Sequence, residues 1–336
     1  MCLIYGETAK KSLEKKKSVC YNEFTMAAVK VFSHAKLNLS LNIRGKKDGY
    51  HLLDSFVASV DISDEIIVRP RKDDLINVTM HGLGSEGIHP EENTALRAGE
   101  KFVGKYDVRG ADITVYKNIP MGAGMGGSSA DAAGVLRGMA QLYGIRDEAG
   151  IKDIADSLGS DTGYMLSGGF ARMTGRGEQV WPLNRSDRLW FLVVAPRTPV
   201  ATGSCYSLYD DEPDEMRDDT EKCIRAFLSG DYEAMSRYFY NALYAPACRL
   251  NADVEAVARE VEGLSPMGWA MTGSGSAVFA MYKTKELCEW AASRYRGRGR
   301  AMVTCTLDPA AAEQKKKIKW RNPFVLSKEE TENANE

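Results

Sequence analysis

Residues 120–133 read Pro120-Met-Gly-Ala-Gly-Met-Gly-Gly-Ser-Ser-Ala-Asp-Ala-Ala133. Four of the six residues from 122 to 127 are glycine (Gly122, Gly124, Gly126 and Gly127). They free the backbone to bend and let a ligand approach without Cβ atoms in the way. Ser128 and Ser129 add two hydroxyls, and the alanine-rich run behind them favours helix. A loop of this kind, feeding a helix N-terminus, aims several backbone N–H groups and a positive dipole end at one place. That suits phosphate, and the run of donors is long enough for a triphosphate.

Three other readings compete. Gly122, Gly124 and Gly127 satisfy the dinucleotide pattern G-x-G-x-x-G, which alone is weak. That version calls for a βαβ unit with an acid ending the next strand about twenty residues on. Asp147 stands at that distance, but within Gly144-Ile-Arg-Asp-Glu-Ala-Gly150, which reads as a turn between helices. A P-loop is excluded because no Gly-Lys-Ser/Thr follows the glycines. The plain alternative is a glycine-rich turn, against which the glycines, serines and helix start coincide.

Outward from the loop, the chain reads as α+β. Leu37, Leu39, Leu41 and Ile43 alternate with Lys36, Asn38, Ser40, Asn42 and Arg44, which predicts a half-buried strand with one polar face. Lys36 and Asn38 then project together. A polar turn, 45–51, precedes strand-like runs at 55–60, 65–68 and 76–80, a helix at 93–102 and a strand at 113–117 that enters the loop through Pro120. Behind it, Ala132, Leu136, Met139 and Tyr143 have helical spacing. A helix at 151–158, a strand at 189–195, a mainly helical stretch at 213–245, then helix 254–261, strands 269–271 and 277–281, helix 286–295 and strand 301–307 complete the pattern. Strands and helices mix without regular βα alternation, as in layered α+β folds.

A length of 336 residues suits one large or two ordinary domains, with a soft division near 185–200. The net charge of −2 gives no support for nucleic acid or an anionic membrane as partner. Seven scattered cysteines without C-x-x-C fit reduced thiols and a cytoplasmic location better than a disulfide framework. His34, His51, His81 and His89 lack metal-ligand spacing, so no built-in metal site is expected. Residues 1–25 are lysine-rich without the apolar core of a signal peptide, and are expected to be a disordered extension or the product of an upstream start. Residues 313–336 read as a charged tail, and no apolar run reaches membrane-spanning length.

Phosphoryl transfer requires held phosphates, neutralised charge and an oriented nucleophile. Lys36 and Asp161 are the candidate pair for the acceptor. Asp161 lies in Leu158-Gly-Ser-Asp-Thr-Gly-Tyr164, where a carboxylate can enter a cleft, or simply cap the next helix. Lys36 alone could equally be a solvated strand lysine.

The loop resembles the phosphate-binding motif of the GHMP kinases, which bind ATP with a Pro-x-Gly-x-Gly-Leu-Gly-Ser-Ser type loop. Ala35-Lys-Leu-Asn-Leu39, Asp48-Gly-Tyr-His51, Lys117-x-x-Pro-Met-Gly-Ala-Gly-Met-Gly-Gly127, Gly159-Ser-Asp161 and Met271-Thr-Gly-Ser-Gly-Ser-Ala-Val-Phe279 occur in that order. Together they resemble the branch that phosphorylates a cytidine diphosphate-linked methylerythritol in non-mevalonate isoprenoid biosynthesis, from about Val29 to Leu307. The Asp-Gly-Tyr-His piece discriminates most.

The resemblance implies a two-domain GHMP fold, 26–190 and 191–312, with the active site between the domains. It implies ATP as donor with Mg²⁺, a small-molecule acceptor, and either a monomer or a homodimer. Asp161 would accept the hydroxyl proton, with Lys36 beside it stabilising charge. Asn38 would orient substrate, and Tyr50, His51, Thr202 and Tyr206 would enclose the cytidine. Asn93, Lys117 and Pro120 would line the nucleotide pocket with the glycine loop, and Gly273 and Gly275 would shape the floor. Partial core packing remains the alternative for Tyr50 and Tyr206, and a turn hydrogen bond for His51.

The chain departs from the family pattern in places. Ser128 stands at a usual glycine, Ala130 at a usual serine, Thr162-Gly163 at a usual Val-Pro, and Thr94 at a usual aliphatic residue. A relative acting on another small alcohol, or a non-catalytic nucleotide-binding protein of the same fold, are the rival readings.

Overall fold

The computed structural model describes residues 28–307 except 83–88, 90, 92 and 216. The expected N-terminal extension, 1–25, and charged tail, 313–336, lie outside the described residues. Strands β1 (Val29–Lys47) and β2 (Tyr50–Pro70) form one long antiparallel hairpin. Its two-residue turn is Asp48-Gly49, both at positive φ (52° and 81°), so the loop has the primed geometry that Asp-Gly favours and that matches strand twist. The two separate runs expected at 55–60 and 65–68 are therefore one strand of 21 residues.

One edge of β2 is shared end to end by two partners. Its second half pairs with β4 (Ala111–Tyr116), which pairs in parallel with β3 (Ile76–His81). Its first half pairs with β5 (Phe170–Gly175), which turns back into β6 (Gln179–Leu183). Helices α1 (Thr94–Tyr106) and α2 (Gly127–Tyr143) pack together, with α2 against β1 and β2. Short helices α3 (Glu148–Asp156) and α4 (Thr162–Ser167) follow.

A second sheet holds β7 (Trp190–Ala195) between β11 (Arg300–Cys305) and β10 (Val278–Tyr282), with β9 (Gly268–Met271) outermost. Helices α9 (Ala252–Glu262) and α10 (Lys285–Arg294) pack against it. Between the sheets in sequence run α5 (Thr202–Asp211), α6 (Asp219–Ser229), α7 (Tyr232–Ser236), β8 (Tyr240–Asn241) and α8 (Tyr244–Leu250). β8 returns to pair in parallel with β1 at Ser40 and Leu41. One apolar core runs between the sheets, joining Leu37, Phe56 and Phe170 to Phe191, Phe227 and Phe279. No helix among the described residues is long and apolar enough to cross a membrane.

Two local expectations are corrected, and one hairpin was not foreseen. The polar row of β1 is buried rather than solvated, because β8 covers the strand's free edge and α6 its polar face. Ser40 Oγ meets Thr220 Oγ1 at 2.9 Å, and Asn42 Oδ1 accepts from the same hydroxyl at 2.7 Å. The stretch read as helical from 213 begins late, since α5 already occupies 202–211. That helix starts with the weak formers Thr-Gly-Ser and is held by the buried Cys205 and Tyr209. The β5–β6 hairpin escaped notice because it is short, carries Pro182 and exposes Trp181, which blurs the alternation.

Candidate active site

The glycine loop is clamped between the two sheets. Lys36 N–H donates to the Met125 carbonyl at 3.1 Å, and Ala277 N–H to the Ala123 carbonyl at 3.2 Å. Glycine is required where it meets the β9–β10 turn. A Cβ on Gly124 (φ 74°) would lie 2.0 Å from the Thr272 carbonyl oxygen, and one on Gly273 (φ 57°) 2.5 Å from the Gly124 oxygen. The chain then passes through Gly126, left-handed at φ 73°, directly into α2, whose first N–H groups receive no side-chain cap. Uncapped donors at a helix start facing a cleft are suited to anionic oxygens.

That cleft encloses about 990 Å³ and is lined by every residue expected at the site. At its centre Lys36 Nζ lies 3.4 Å from Asp161 Oδ2. The ammonium also donates to Asn38 Oδ1 at 2.5 Å, while Asn38 Nδ2 donates to Ser55 Oγ at 2.8 Å and Oδ1 accepts from Gly273 N–H at 3.0 Å. Three elements thus fix one buried cation beside one carboxylate. Asp161 stands at the N-cap position of α4 without making a side-chain cap bond, and its side chain keeps 31% of its surface open. A part-exposed carboxylate held near a buried ammonium can accept a proton from a hydroxyl placed between cradle and acid.

At the phosphate end lie Pro120, Gly122, Gly124, Gly126, Gly127, Ser128 and Ser129. Thr94 Oγ1 donates to the Ser128 carbonyl at 2.8 Å, tying α1 to the loop. Asn93 lines the same end as the cap of α1, its Oδ1 accepting from Ala95 N–H at 3.0 Å. Lys117 is not a free cation. Its ammonium bonds Asp131 Oδ2 at 2.6 Å and also Asp64, whose other oxygen accepts from Ile119 N–H at 2.8 Å. Burial by itself would lower the Lys117 ammonium, but the two carboxylates outweigh it and hold it above its ordinary range. Two acids share that one cation. Burial pushes the Asp131 carboxyl up to about 7 despite Lys117, with Asp64 adding to the rise, and its Oδ1 has no hydrogen-bond partner among the described residues.

At the opposite end, Thr202 Oγ1 meets Ser274 Oγ at 2.8 Å, and Gly273 and Gly275 form the floor. His51 stacks on Tyr206 with ring centroids 4.6 Å apart. His51 Nε2 lies 2.6 Å from Asp210 Oδ1, and Lys46 Nζ lies 2.7 Å from the other oxygen of that carboxylate. Burial, followed by the charge of Asp161, raises the Tyr206 phenol, so it stays protonated. Tyr50 is half-exposed, with the Arg176 guanidinium 3.6 Å over its ring centroid. Sequence reasoning missed Lys46, Ser55, Asp210 and Arg176. Thr272 and Ser274 sat inside a motif that could have supplied them, whereas Asp210 lies in an acidic run with no local signal. Among the described residues no group of three or more His, Cys, Asp or Glu side chains could hold a metal ion.

The GHMP kinases N terminal domain model matches residues 93–171. The chain is 31% identical over 286 residues to the 4-diphosphocytidyl-2-C-methyl-D-erythritol kinase of Pelotomaculum thermopropionicum, covering 84% of this chain and 99% of that protein. It is 34% identical over 285 residues to the enzyme of the same name from Desulfitobacterium hafniense, covering 83% and 96%. A crystal structure of 4-(cytidine 5'-diphospho)-2C-methyl-D-erythritol kinase superposes with a TM-score of 0.69 at 29% identity, covering 83% of this chain and 99% of that one.

Proposed function

The chain belongs to the 4-diphosphocytidyl-2-C-methyl-D-erythritol kinase family of the GHMP kinases, and from that premise we propose its substrate and the roles of its residues. It is an ATP-dependent kinase of isoprenoid biosynthesis with the α+β GHMP fold. We propose that it transfers the ATP γ-phosphoryl group to the 2-hydroxyl of 4-diphosphocytidyl-2-C-methyl-D-erythritol, in the cytoplasm. In this reading 26–190 is the ATP-binding domain, which also carries Lys36, Asn38, Tyr50, His51 and Asp161, and 191–312 is the second domain, which contributes Thr202, Tyr206, Gly273 and Gly275. The observation that carries this reading is the Lys36–Asp161 pair at 3.4 Å, set between an N–H cradle and an aromatic pocket.

The acceptor hydroxyl is tertiary and weakly acidic, so alignment and electrostatics carry the rate. Asp161 accepts its proton as the bond to phosphorus forms. Lys36, locked by Asn38, sits beside Asp161 and offsets negative charge on the transferred group. Asn38 orients the alcohol. The α2 N-terminus and the loop N–H groups hold the triphosphate, with the Asn93 and Lys117 side of the cleft around the nucleoside. Mg²⁺, when bound with ATP, neutralises charge on its phosphates. Ser128 and Ser129 are the hydroxyls that would flank it, and Ser129 Oγ faces Gly159, two residues before Asp161. Tyr50, His51, Thr202 and Tyr206 enclose the cytidine.

The test is ADP formation by purified protein with Mg-ATP and 4-diphosphocytidyl-2-C-methyl-D-erythritol, beside homoserine, mevalonate and galactose. Turnover confined to the cytidyl substrate is expected. Turnover on another alcohol would move the acceptor. ATP binding without turnover on any would make the chain a non-catalytic member of the fold.

A further inference from the structure

Four lysine and arginine side chains line the cleft: Lys36, Lys46, Lys117 and Arg176. Lys36 is paired with Asp161, Lys46 with Asp210, and Lys117 with Asp64 and Asp131. Arg176 makes no ion pair among the described residues. The carboxylate nearest in sequence, Glu178, is turned back on the turn between β5 and β6, where Oε2 accepts the Arg176 backbone N–H at 2.6 Å. The guanidinium is left on the Tyr50 ring, 3.6 Å from its centroid, and the residue is exposed to the cleft. Its neighbour Gly177 packs beside Asp161, since a Cβ there would lie 3.5 Å from Asp161 Oδ1. Arg176 therefore stands between the reacting carboxylate and the aromatic end.

Resting on the cytidyl substrate argued above, we propose that Arg176 is an anion subsite for the diphosphate joining base to alcohol, and that it also guards the base subsite. A ligand with its base at Tyr50 and its hydroxyl at Asp161 must carry its linking phosphates past this residue. Those phosphates bring negative charge into a cleft whose other cations are already neutralised by carboxylates. A planar guanidinium offers them paired N–H donors.

Part of the aromatic surface is meanwhile occupied by the protein itself. His51 and Tyr206 are in direct contact at 4.6 Å, leaving no room for a third ring, and one face of Tyr50 carries Arg176. A base that stacks on that face of Tyr50 must displace the guanidinium and forfeit a cation–π contact. A ligand carrying both base and diphosphate returns a partner to the displaced charge. A nucleoside alone does not. The site is thereby biased against free cytidine and toward its diphosphate-linked form, a discrimination made partly by a contact that must be broken.

The test compares binding of cytidine and CDP, by calorimetry, to the full chain and to the variants Arg176→Met and Arg176→Lys. Methionine keeps bulk without charge, and it should weaken CDP about tenfold or more, the worth of a charged hydrogen bond. It should leave cytidine no weaker, so the preference for CDP collapses. Lysine keeps the charge and should retain most of that preference. An unchanged CDP-to-cytidine ratio in Arg176→Met overturns the subsite. Equal loss of the ratio in both variants also overturns it, because the plane on Tyr50 rather than the charge would then be responsible. Should the methionine variant fail to fold, the salt dependence of wild-type binding decides: CDP must weaken with salt and cytidine must not. Substrate turnover by the wild-type chain is read separately, so failure of the subsite and failure of the proposed reaction are distinguishable.

Discussion

Asp161 occupies the capping position of α4, yet its carboxylate accepts no hydrogen bond from that helix and stands 3.4 Å from the Lys36 ammonium. A capping aspartate turns its oxygens toward the N–H groups two or three residues ahead. Here the backbone keeps the capping position while the side chain serves a lysine more than a hundred residues earlier. Asp161→Asn is expected to lower kcat roughly 10²- to 10⁴-fold, the range for loss of a positioned proton acceptor, with little change in ATP affinity. Lys36→Met should cost less than additively in the double variant, because each residue acts through the other. Normal turnover by Asp161→Asn would sink the assignment.

The glycine loop makes a prediction about stability as well as activity. Gly124→Ala pushes a methyl group against the Thr272 carbonyl at a positive φ, and neither backbone can yield without parting the two sheets' loops. A loss of about 2–3 kcal/mol in urea unfolding is expected from strain and clash together. Gly104→Ala is the control. It lies in α1, where a Cβ at this position would have nothing within 4 Å, so helix propensity alone should stabilise the chain by about 0.5–1 kcal/mol. Equal effects at both positions would show that the loop is not tightly interlocked.

How much of this was visible beforehand depended on whether a residue's partner is local. The hairpin turn, the glycine loop and the β1 alternation are short-range patterns, and the sequence displays them. That Lys36 and Asn38 share a face follows from period two, and their 2.5 Å contact agrees. That the same face is buried does not follow, because the cover comes from Thr220, 178 positions after Asn42. Likewise nothing near Asp210 signals that it will hold His51, and nothing near Arg176 signals that Glu178 will turn away from its side chain. Long-range pairing of polar groups leaves no periodic trace.

The buried charges under the loop should register in pH dependence. Asp131 has a folded-state value of about 7 against an ordinary 3.8, so the folded chain binds more protons between those values. Its contribution therefore falls as pH rises through that window. Lys117, held above 10.5 by Asp64 from β2 and Asp131 from α2, does not change there. Asp131→Asn removes the titration, so its melting temperature relative to wild type should climb from pH 4 to pH 7 and then level. Parallel curves would place Asp131 among fully ionised, compensated acids.

The aromatic end can be separated from the phosphate end by kinetics. Tyr206 stacks on His51 and His51 is held by Asp210, so the three form one wall. Stacking a base on an aromatic side chain is worth about 1–3 kcal/mol. Tyr206→Ala should accordingly raise KM for the cytidyl substrate about tenfold while leaving that for ATP. Asp210→Asn tests whether the wall needs an oriented imidazole. It deletes the charge that pairs with Lys46 and holds His51, and keeps the ring stack. A smaller rise in the same KM is expected, with ATP again unaffected. If instead both variants raise KM for ATP and leave the cytidyl substrate alone, the two ends of the cleft are assigned the wrong way round, and the nucleotide donor lies against Tyr206.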